Sequence, residues 1–277
     1  MIALALHTGV VNAGAQAAPT SSAPILKQHV TFTSGALTLE GYVFKPEGPG
    51  PFATIVWNHG SEKNPGGGPQ YDSAGAIFMR FGYAMFAPVR RGHGASEGTY
   101  IVDASNAAMA AGGVAERNRV AVKLLETEQV DDQLAGLRYA RTLPFVDTTR
   151  IAVAGCSYGG IQTLLGAERG VGYKAAFSIS PAGLSWNGNP LLQQRLIQAV
   201  GKISIPVMLI QPPKDTSLEP SRVLGAEFKR LNKTYVGKIY PETIPAELQV
   251  HCFGGARGNH IWEADAAAFL KPILARK

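Results

Sequence analysis

The chain has 277 residues, of which 45% are hydrophobic and 17% are charged. That length suits one large domain, and such a chain can bury a full core without stabilisation by disulfide bonds. Lys and Arg outnumber Asp and Glu by 26 to 20, which gives a formal net charge of +6. The basic residues form no dense run, so the composition argues against a nucleic-acid-binding protein. Two cysteines are also too few for a disulfide-rich scaffold.

The N-terminal segment has the pattern of an export signal. A short apolar stretch is followed by Ala15-Gln16-Ala17, a small-x-small cleavage pattern. We predict a signal peptide and a disordered N-terminus over residues 1–24, followed by a single domain over residues 25–277. The apolar stretch is too short to cross a bilayer as a helix. A secreted or periplasmic protein without stable membrane insertion is therefore expected, and a disordered tail is the alternative.

Beyond this segment, short apolar runs alternate with segments of helical spacing. Residues 29–33 and 37–44 alternate with period two and predict an antiparallel hairpin. The runs expected to form further strands are residues 53–58, 84–88, 151–154, 175–179, 207–210 and 248–252. The segments expected to form helices are residues 73–81, 130–142, 161–167, 224–231 and 263–274. The alternation predicts an α/β fold with a mostly parallel central sheet, helices on both faces and functional residues at the carboxyl ends of the strands.

Two segments, residues 99–128 and 184–200, do not follow this alternation. The first is rich in alanine, and the second contains Trp186 before a helical pattern. Each segment is expected to be either a lid over the active site or an ordinary surface helix. Trp186 is accordingly a candidate substrate contact.

A Gly-x-Ser-x-Gly motif, Gly155-Cys156-Ser157-Tyr158-Gly159, lies between an expected strand and an expected helix. In this context the serine occupies a sharp turn that exposes its hydroxyl, and the residues two positions away must be small. The free N–H groups at the start of the helix favour negative charge at the same point. We therefore predict that Ser157 is a catalytic nucleophile.

A serine nucleophile needs a base, and a histidine base needs an acceptor for its second N–H. His260 lies in the loop after the expected last strand and before the final helix, and it is the predicted base. His251 falls inside the run expected to form that strand. Asp215 follows another expected strand and is the predicted acid, with Glu219 as the fallback. The chain order Ser157, Asp215, His260 agrees with this assignment.

Acyl transfer also needs two N–H donors for the oxyanion. One is predicted to be the backbone N–H of Tyr158. The other is predicted to be the backbone N–H of Ser61 in the loop after the strand at 53–58, with Glu62 as the alternative. The His59 side chain is expected to hold this loop by a hydrogen bond, and His59 and Glu62 are also candidate substrate contacts.

Arg90 and Arg91 follow the strand at 84–88. One of them, Arg90 in particular, is a candidate to bind a substrate carboxylate as a fork. A structural salt bridge within the turn is the alternative.

The two cysteines, Cys156 and Cys252, form no Cys-x-x-Cys metal motif. We expect both to be packed free thiols, because free cysteine behaves as a small hydrophobic residue. A bridge between them is the alternative if the protein is exported.

Five stretches carry a family resemblance: Trp57–Gly60, Arg90–Gly98, Phe145–Gly160, Lys214–Thr216 and Asn259–His260. With these motifs, residues 28–275 resemble the dienelactone hydrolase-like branch of the α/β-hydrolases. They are also similar to the catalytic domain of prolyl-oligopeptidase-type peptidases. The resemblance implies a sheet of about eight strands, no metal or organic cofactor, and hydrolysis of esters or amides through an acyl-enzyme. Dienelactone hydrolases have a cysteine at the position of Ser157, which is a departure from their pattern. The related peptidases have an N-terminal propeller domain, and the few residues before the first expected strand here are not enough to form one.

The sequence thus predicts a serine hydrolase that cleaves carboxylic esters of small molecules. A small peptidase or amidase with the same three residues is the first alternative. A non-catalytic binding protein of the same fold is the second. Neither the acyl and alcohol groups nor the oligomeric state is predicted.

Overall fold

A computed structural model describes residues 27–65 and 69–276, so the predicted signal peptide and N-terminal tail lie outside the described residues. The strands are β1 (Lys27–Ser34), β2 (Leu37–Phe44), β3 (Phe52–Asn58), β4 (Ala84–Pro88), β5 (Val146–Cys156), β6 (Ala176–Ile179), β7 (Val207–Gln211) and β8 (Tyr235–Ile239). The helices are α1 (Pro69–Arg80), α2 (Ile101–Glu126), α3 (Glu128–Ala140), α4 (Tyr158–Ala167), α5 (Pro190–Lys202), α6 (Glu219–Arg230) and α7 (Asn259–Leu274).

All these strands form one sheet of eight in the order β1-β2-β4-β3-β5-β6-β7-β8. The β1–β2 and β2–β4 pairs are antiparallel, and every pair from β4–β3 to β7–β8 is parallel. The predicted fold class and the strand number that the resemblance implied are confirmed. Because β3, β5, β7 and β8 are parallel, the residues that follow them meet at one edge of the sheet.

Helices cover both faces of this sheet, and in the described part of the chain the buried apolar side chains form two large clusters, one on each face, and a smaller one between β1, β2, β4 and α3. Successive residues of β3 show the division, because side chains along a strand point to alternate faces. Ile55 and Trp57 pack with α1 and α7, whereas Val56 packs with α2 to α6. None of the helices within the described residues has the length and hydrophobicity needed to cross a membrane.

The last strand is not where the sequence placed it. The prediction of a strand over residues 248–252 is wrong, because the described chain there forms 3₁₀ turns at Ala246–Leu248 and His251–Gly258. The alternating apolar residues of that run imitate a half-buried strand. The actual edge strand, β8, has no apolar run, and its Val236 is 45% exposed. Residues 241–258, between β8 and α7, are therefore one long loop, called the histidine loop below.

The two segments that broke the alternation contain helices. Residues 99–128 hold α2, which is kinked at Gly113 (φ 72°, ψ −162°). Residues 184–200 hold the start of α5, whose N-cap Asn189 accepts a hydrogen bond from the Leu192 N–H at 3.1 Å. A lid function for either segment stays a prediction.

Candidate active site

Ser157 lies between β5 and α4 with a backbone conformation (φ 60°, ψ −119°) that non-glycine residues rarely adopt. Its N–H donates to the Ile179 carbonyl at 2.9 Å, which ties the turn to β6. A Cβ at Gly155 would lie 2.6 Å from the Asn58 carbonyl oxygen, and one at Gly159 would collide with the same atom. The turn formed by residues 155–159, called the nucleophile turn below, therefore requires glycine at both positions.

The Ser157 hydroxyl contacts His251. The Oγ atom lies 2.8 Å from the His251 Nε2 atom, and the Nδ1 atom of the same ring lies 2.7 Å from the Asp215 Oδ1 atom. Because an ionised carboxylate only accepts hydrogen bonds, this pattern assigns the ring proton to Nδ1 and leaves Nε2 to accept the serine proton. The side chains form a Ser-His-Asp chain with the geometry of a catalytic triad.

The predicted base, His260, does not take part in this chain. It is exposed at the start of α7, and its Nδ1 atom lies 2.9 Å from the Arg257 carbonyl oxygen. The structure therefore replaces His260 with His251. The error follows from the misplaced strand, since a histidine inside a strand was not considered as a base. A signal was nevertheless present, because a Cys156–Cys252 bridge would bring residue 251 beside residue 157.

Asp215 lies after β7, as predicted, and is 8% exposed. Its Oδ1 atom also accepts from the Thr216 N–H at 2.8 Å, and its Oδ2 atom accepts from Gln211 Nε2 at 2.8 Å. A Cβ at Gly183 would lie 2.6 Å from this carboxylate, so the chain approaches it closely there. The fallback acid, Glu219, lies at the start of α6 and pairs with Arg222 instead.

The loop after β3 is held from beneath by a buried arginine. Arg90 is fully buried, and its guanidinium donates to the carbonyls of His59 at 2.9 Å and Gly60 at 2.6 Å, and to Gln129 Oε1 at 3.0 Å. The prediction that Arg90 contacts substrate is therefore wrong: its side chain supports the loop that carries Ser61. Arg91 does form a structural salt bridge, 2.7 Å from the Asp132 carboxylate, but its partner lies on α3 and not within the turn as the alternative had it.

Two buried histidines support this loop: His59 lies within it and His93 packs beside it. His59 Nε2 accepts from the Arg90 backbone N–H at 3.1 Å, and its ring packs edge-on against His93 at 4.6 Å between centroids. Burial and the nearby Arg90 charge lower the pKa of His59 well below its usual value and lower the pKa of His93 to about 3. Both rings are neutral at pH 7, and His59 holds the loop as the sequence predicted.

Two cavities meet at Ser157. The larger, of about 450 Å³, is lined by His251, Glu62 and His59, so Glu62 and His59 do face the space next to the serine. The smaller, of about 340 Å³, is lined by Tyr158 and by polar residues of α2 and the segment before α5, including Ser105, Arg117 and Asn187. Ser61, Ser157 and Leu184 line both.

Trp186 lies outside both cavity linings. It is 4% exposed and packs in the core beside α5, so its prediction as a substrate contact is wrong. The sequence marked it for a surface role because its segment broke the alternation. Leu184, two residues earlier and 60% exposed, faces the cavities instead.

Cys156 and Cys252 form a disulfide, with their Cα atoms 6.2 Å apart. The expectation of two free thiols is therefore wrong, and the bridged alternative is correct. Within residues 27–65 and 69–276, no group of three or more His, Cys, Asp or Glu side chains is arranged to hold a metal ion.

Comparison with known proteins places this geometry in a family context. The model of the prolyl oligopeptidase family matches residues 95–184, and no curated protein matches the chain. An acylaminoacyl peptidase from Pyrococcus horikoshii superposes with a TM-score of 0.67 and 21% identity over 92% of this chain and 43% of its own. An esterase from Pyrococcus furiosus superposes with a TM-score of 0.67 and 16% identity over 91% of this chain and 92% of its own.

A dipeptidyl peptidase 4 from Porphyromonas gingivalis gives a TM-score of 0.63 at 17% identity, over 90% of this chain and 36% of its own. The chain thus spans less than half the length of the peptidases it superposes on. The predicted resemblance is confirmed at the level of fold and motif. The chain has the α/β-hydrolase fold, and its residues 95–184 resemble the prolyl oligopeptidase family.

Proposed function

We propose that the protein is a serine esterase that cleaves carboxylic esters through an acyl-enzyme. One observation carries the proposal: the continuous hydrogen-bond chain from the Ser157 hydroxyl through His251 to Asp215, with links of 2.8 and 2.7 Å. A serine is activated when its hydroxyl lies within hydrogen-bond reach of a base and a third group orients that base.

In the proposed reaction, His251 takes the proton of Ser157 as the oxygen attacks the ester carbonyl. Asp215 keeps the ring proton on Nδ1 and stabilises the imidazolium that forms. The backbone N–H groups of Tyr158 and Ser61 are assigned to the oxyanion. The N–H of Tyr158 is the first of α4 and has no carbonyl partner within its helix, which supports its part of this assignment. His251 then protonates the leaving alcohol, and water repeats both steps on the acyl-enzyme.

An ester is favoured over an amide because an alcohol leaves more easily than an amine, so the same groups suffice for the ester. The esterase from Pyrococcus furiosus, which superposes over 92% of its own chain, supports the same choice at the level of fold. The disulfide supports the predicted export, since disulfides persist in oxidising compartments.

The test is a panel of p-nitrophenyl esters of increasing acyl length, assayed with the wild-type protein and the variants Ser157→Ala, His251→Ala and His260→Ala. We expect Ser157→Ala and His251→Ala to lose turnover, because each removes a member of the triad. His260→Ala is the matched control and should retain it, because its imidazole is exposed and bonded only to a backbone carbonyl.

Two results would contradict the proposal. Turnover of acylaminoacyl p-nitroanilides with a higher kcat/KM than any ester would assign the triad to an amidase or peptidase. Failure of a fluorophosphonate probe to label Ser157 would show that the site is not catalytic.

A further inference from the structure

The disulfide lies directly beside two residues of the triad. Cys156 is the last residue of β5 and immediately precedes Ser157, while Cys252 immediately follows His251. The bond and the 2.8 Å contact between Ser157 Oγ and His251 Nε2 therefore close one small ring. The disulfide limits how far the backbone at His251 can move from the backbone at Ser157, and so favours the distance on which proton transfer depends.

Other contacts hold the histidine loop mainly on either side of His251. On one side, the Gln249 carbonyl accepts from the Lys214 N–H at 2.8 Å. On the other side, Phe253 is fully buried. Between these anchors, the Cys252 N–H makes a long contact of 3.3 Å with Ser180 Oγ.

The backbone around the histidine is in a conformation that needs support. Cys252 (φ 53°) and Phe253 (φ 55°) both occupy the left-handed region, where a side chain is disfavoured. Residues in such regions persist only where the surroundings hold them. The disulfide is the covalent restraint at the first of these two positions.

The bond is also within reach of small reagents. Cys156 and Cys252 both line the cavity of about 450 Å³ that holds Ser157 and His251. We therefore expect a small reductant that enters this cavity to reach the disulfide in the folded protein.

We propose that the Cys156–Cys252 disulfide positions the His251 imidazole for proton transfer, so that reducing this bond lowers turnover in a protein that stays folded. The inference rests on the proposed function, and both cysteines act as positioning residues. In the test reaction, one phosphine and one water convert the disulfide to two thiols, and the phosphine becomes its oxide.

The experiment measures kcat and KM for one p-nitrophenyl ester before and after treatment of the native protein with a water-soluble phosphine. Alkylation with iodoacetamide counts the thiols formed, and far-UV circular dichroism follows the fold. We expect kcat to fall by up to about 10²-fold, the loss that a 1 Å misplacement can produce, while KM changes little. Ser157→Ala treated in the same way is the blank.

The double variant Cys156→Ala/Cys252→Ala is the matched control for the reductant. Its kcat should already be low and should not respond to the phosphine. An unchanged kcat in the reduced wild-type protein would overturn the inference, as would loss of the helical dichroism signal, which would indicate a global structural role. If the double variant does not fold, the measurement on reduced wild-type protein decides alone.

The same assay separates this inference from the proposed function. If His251→Ala is inactive while the reduced protein turns over at the wild-type rate, only the positioning role of the disulfide fails. If His251→Ala keeps full turnover, the proposed catalytic chain itself fails.

Discussion

The nucleophile turn and the histidine loop supply the two ends of one hydrogen bond, yet they are built differently. The turn is held by regular structure, with β5 before it, α4 after it and the Asn58 carbonyl packed against its glycines. The loop has only short 3₁₀ turns and is held by a few side chains and one disulfide. One half of the site is therefore specified by local backbone geometry and the other by a few long-range contacts.

The largest effect tests whether the two regions act as a unit. Ser157→Ala and His251→Ala should each lower kcat by about 10⁶-fold, and the double variant should lose no more than either, as in other triads. Single and double variants are compared by pre-steady-state and steady-state hydrolysis of the best ester. Multiplicative losses in the double variant would show that the two side chains work independently.

Asp215 links the histidine loop to the sheet, and its neutral analogue should have the next largest effect. Asp215→Asn keeps the shape but favours the wrong imidazole tautomer, so we expect kcat to fall by about 10⁴-fold with the fold intact. Glu219→Gln, at the fallback position, should leave kcat near the wild-type value. The reverse order of these two variants would move the acid to α6.

The anchor of the histidine loop can be weakened without touching the triad. Phe253→Ala removes a fully buried ring, and we expect the free energy of unfolding to fall by about 3–5 kcal/mol. Val250→Ala, at a neighbour that is 45% exposed, should change it by less than about 0.5 kcal/mol. Urea titration gives both values. Equal values for the two variants would mean that Phe253 does not anchor the loop.

The smallest effect concerns pH and His93, which lies beside the loop after β3. The pKa of His93 is lowered to about 3 in the folded protein by burial and Arg90, against about 6.5 in the unfolded chain. As the pH falls, His93 therefore gains its proton in the unfolded state before it does so in the folded state. The free energy of unfolding decreases as the pH falls from 6.5 towards 3, by up to about 1.4 kcal/mol per pH unit.

Urea unfolding at pH 7 and pH 4.5 measures this loss. His93→Gln should lose less stability over that interval than the wild-type protein, because it has no proton to gain there. His260→Gln, at an exposed position, is the control and should follow the wild-type curve. A His93→Gln curve that coincides with the wild-type one would rule out this origin of the acid sensitivity.

The same comparison explains which parts of the site could be predicted from the sequence. Ser157 follows from a local motif, because the strand, the glycines and the helix are neighbours in the chain. Asp215 follows from a continuous buried strand before it. His251 could not be assigned in this way, because its loop has no local pattern of its own and its alternating neighbours imitate a strand. The tertiary contacts of Cys252 and Phe253, which fix its position, are not encoded in spacing.

The predictions that Arg90 and Trp186 contact substrate were wrong for a different reason. Both residue types are common in binding sites. Arg90 directly follows an expected strand, and Trp186 lies in a segment that was expected to be either a lid or a surface helix. The structure buries both, Arg90 beneath the loop that carries Ser61 and Trp186 in the core beside α5. Burial depends on packing between distant elements, which a single sequence does not reveal.

Under the proposed esterase function, the two cavities are candidate compartments for the acid part and the alcohol part of the ester. Ser61, Ser157 and Leu184 are the residues they share, and the remaining wall of each is separate. Substitutions around Arg117 reshape one compartment and leave Glu62 in the other untouched. Under that proposal, the preference for the acid part and the preference for the alcohol part could be changed separately, because each depends on a different wall.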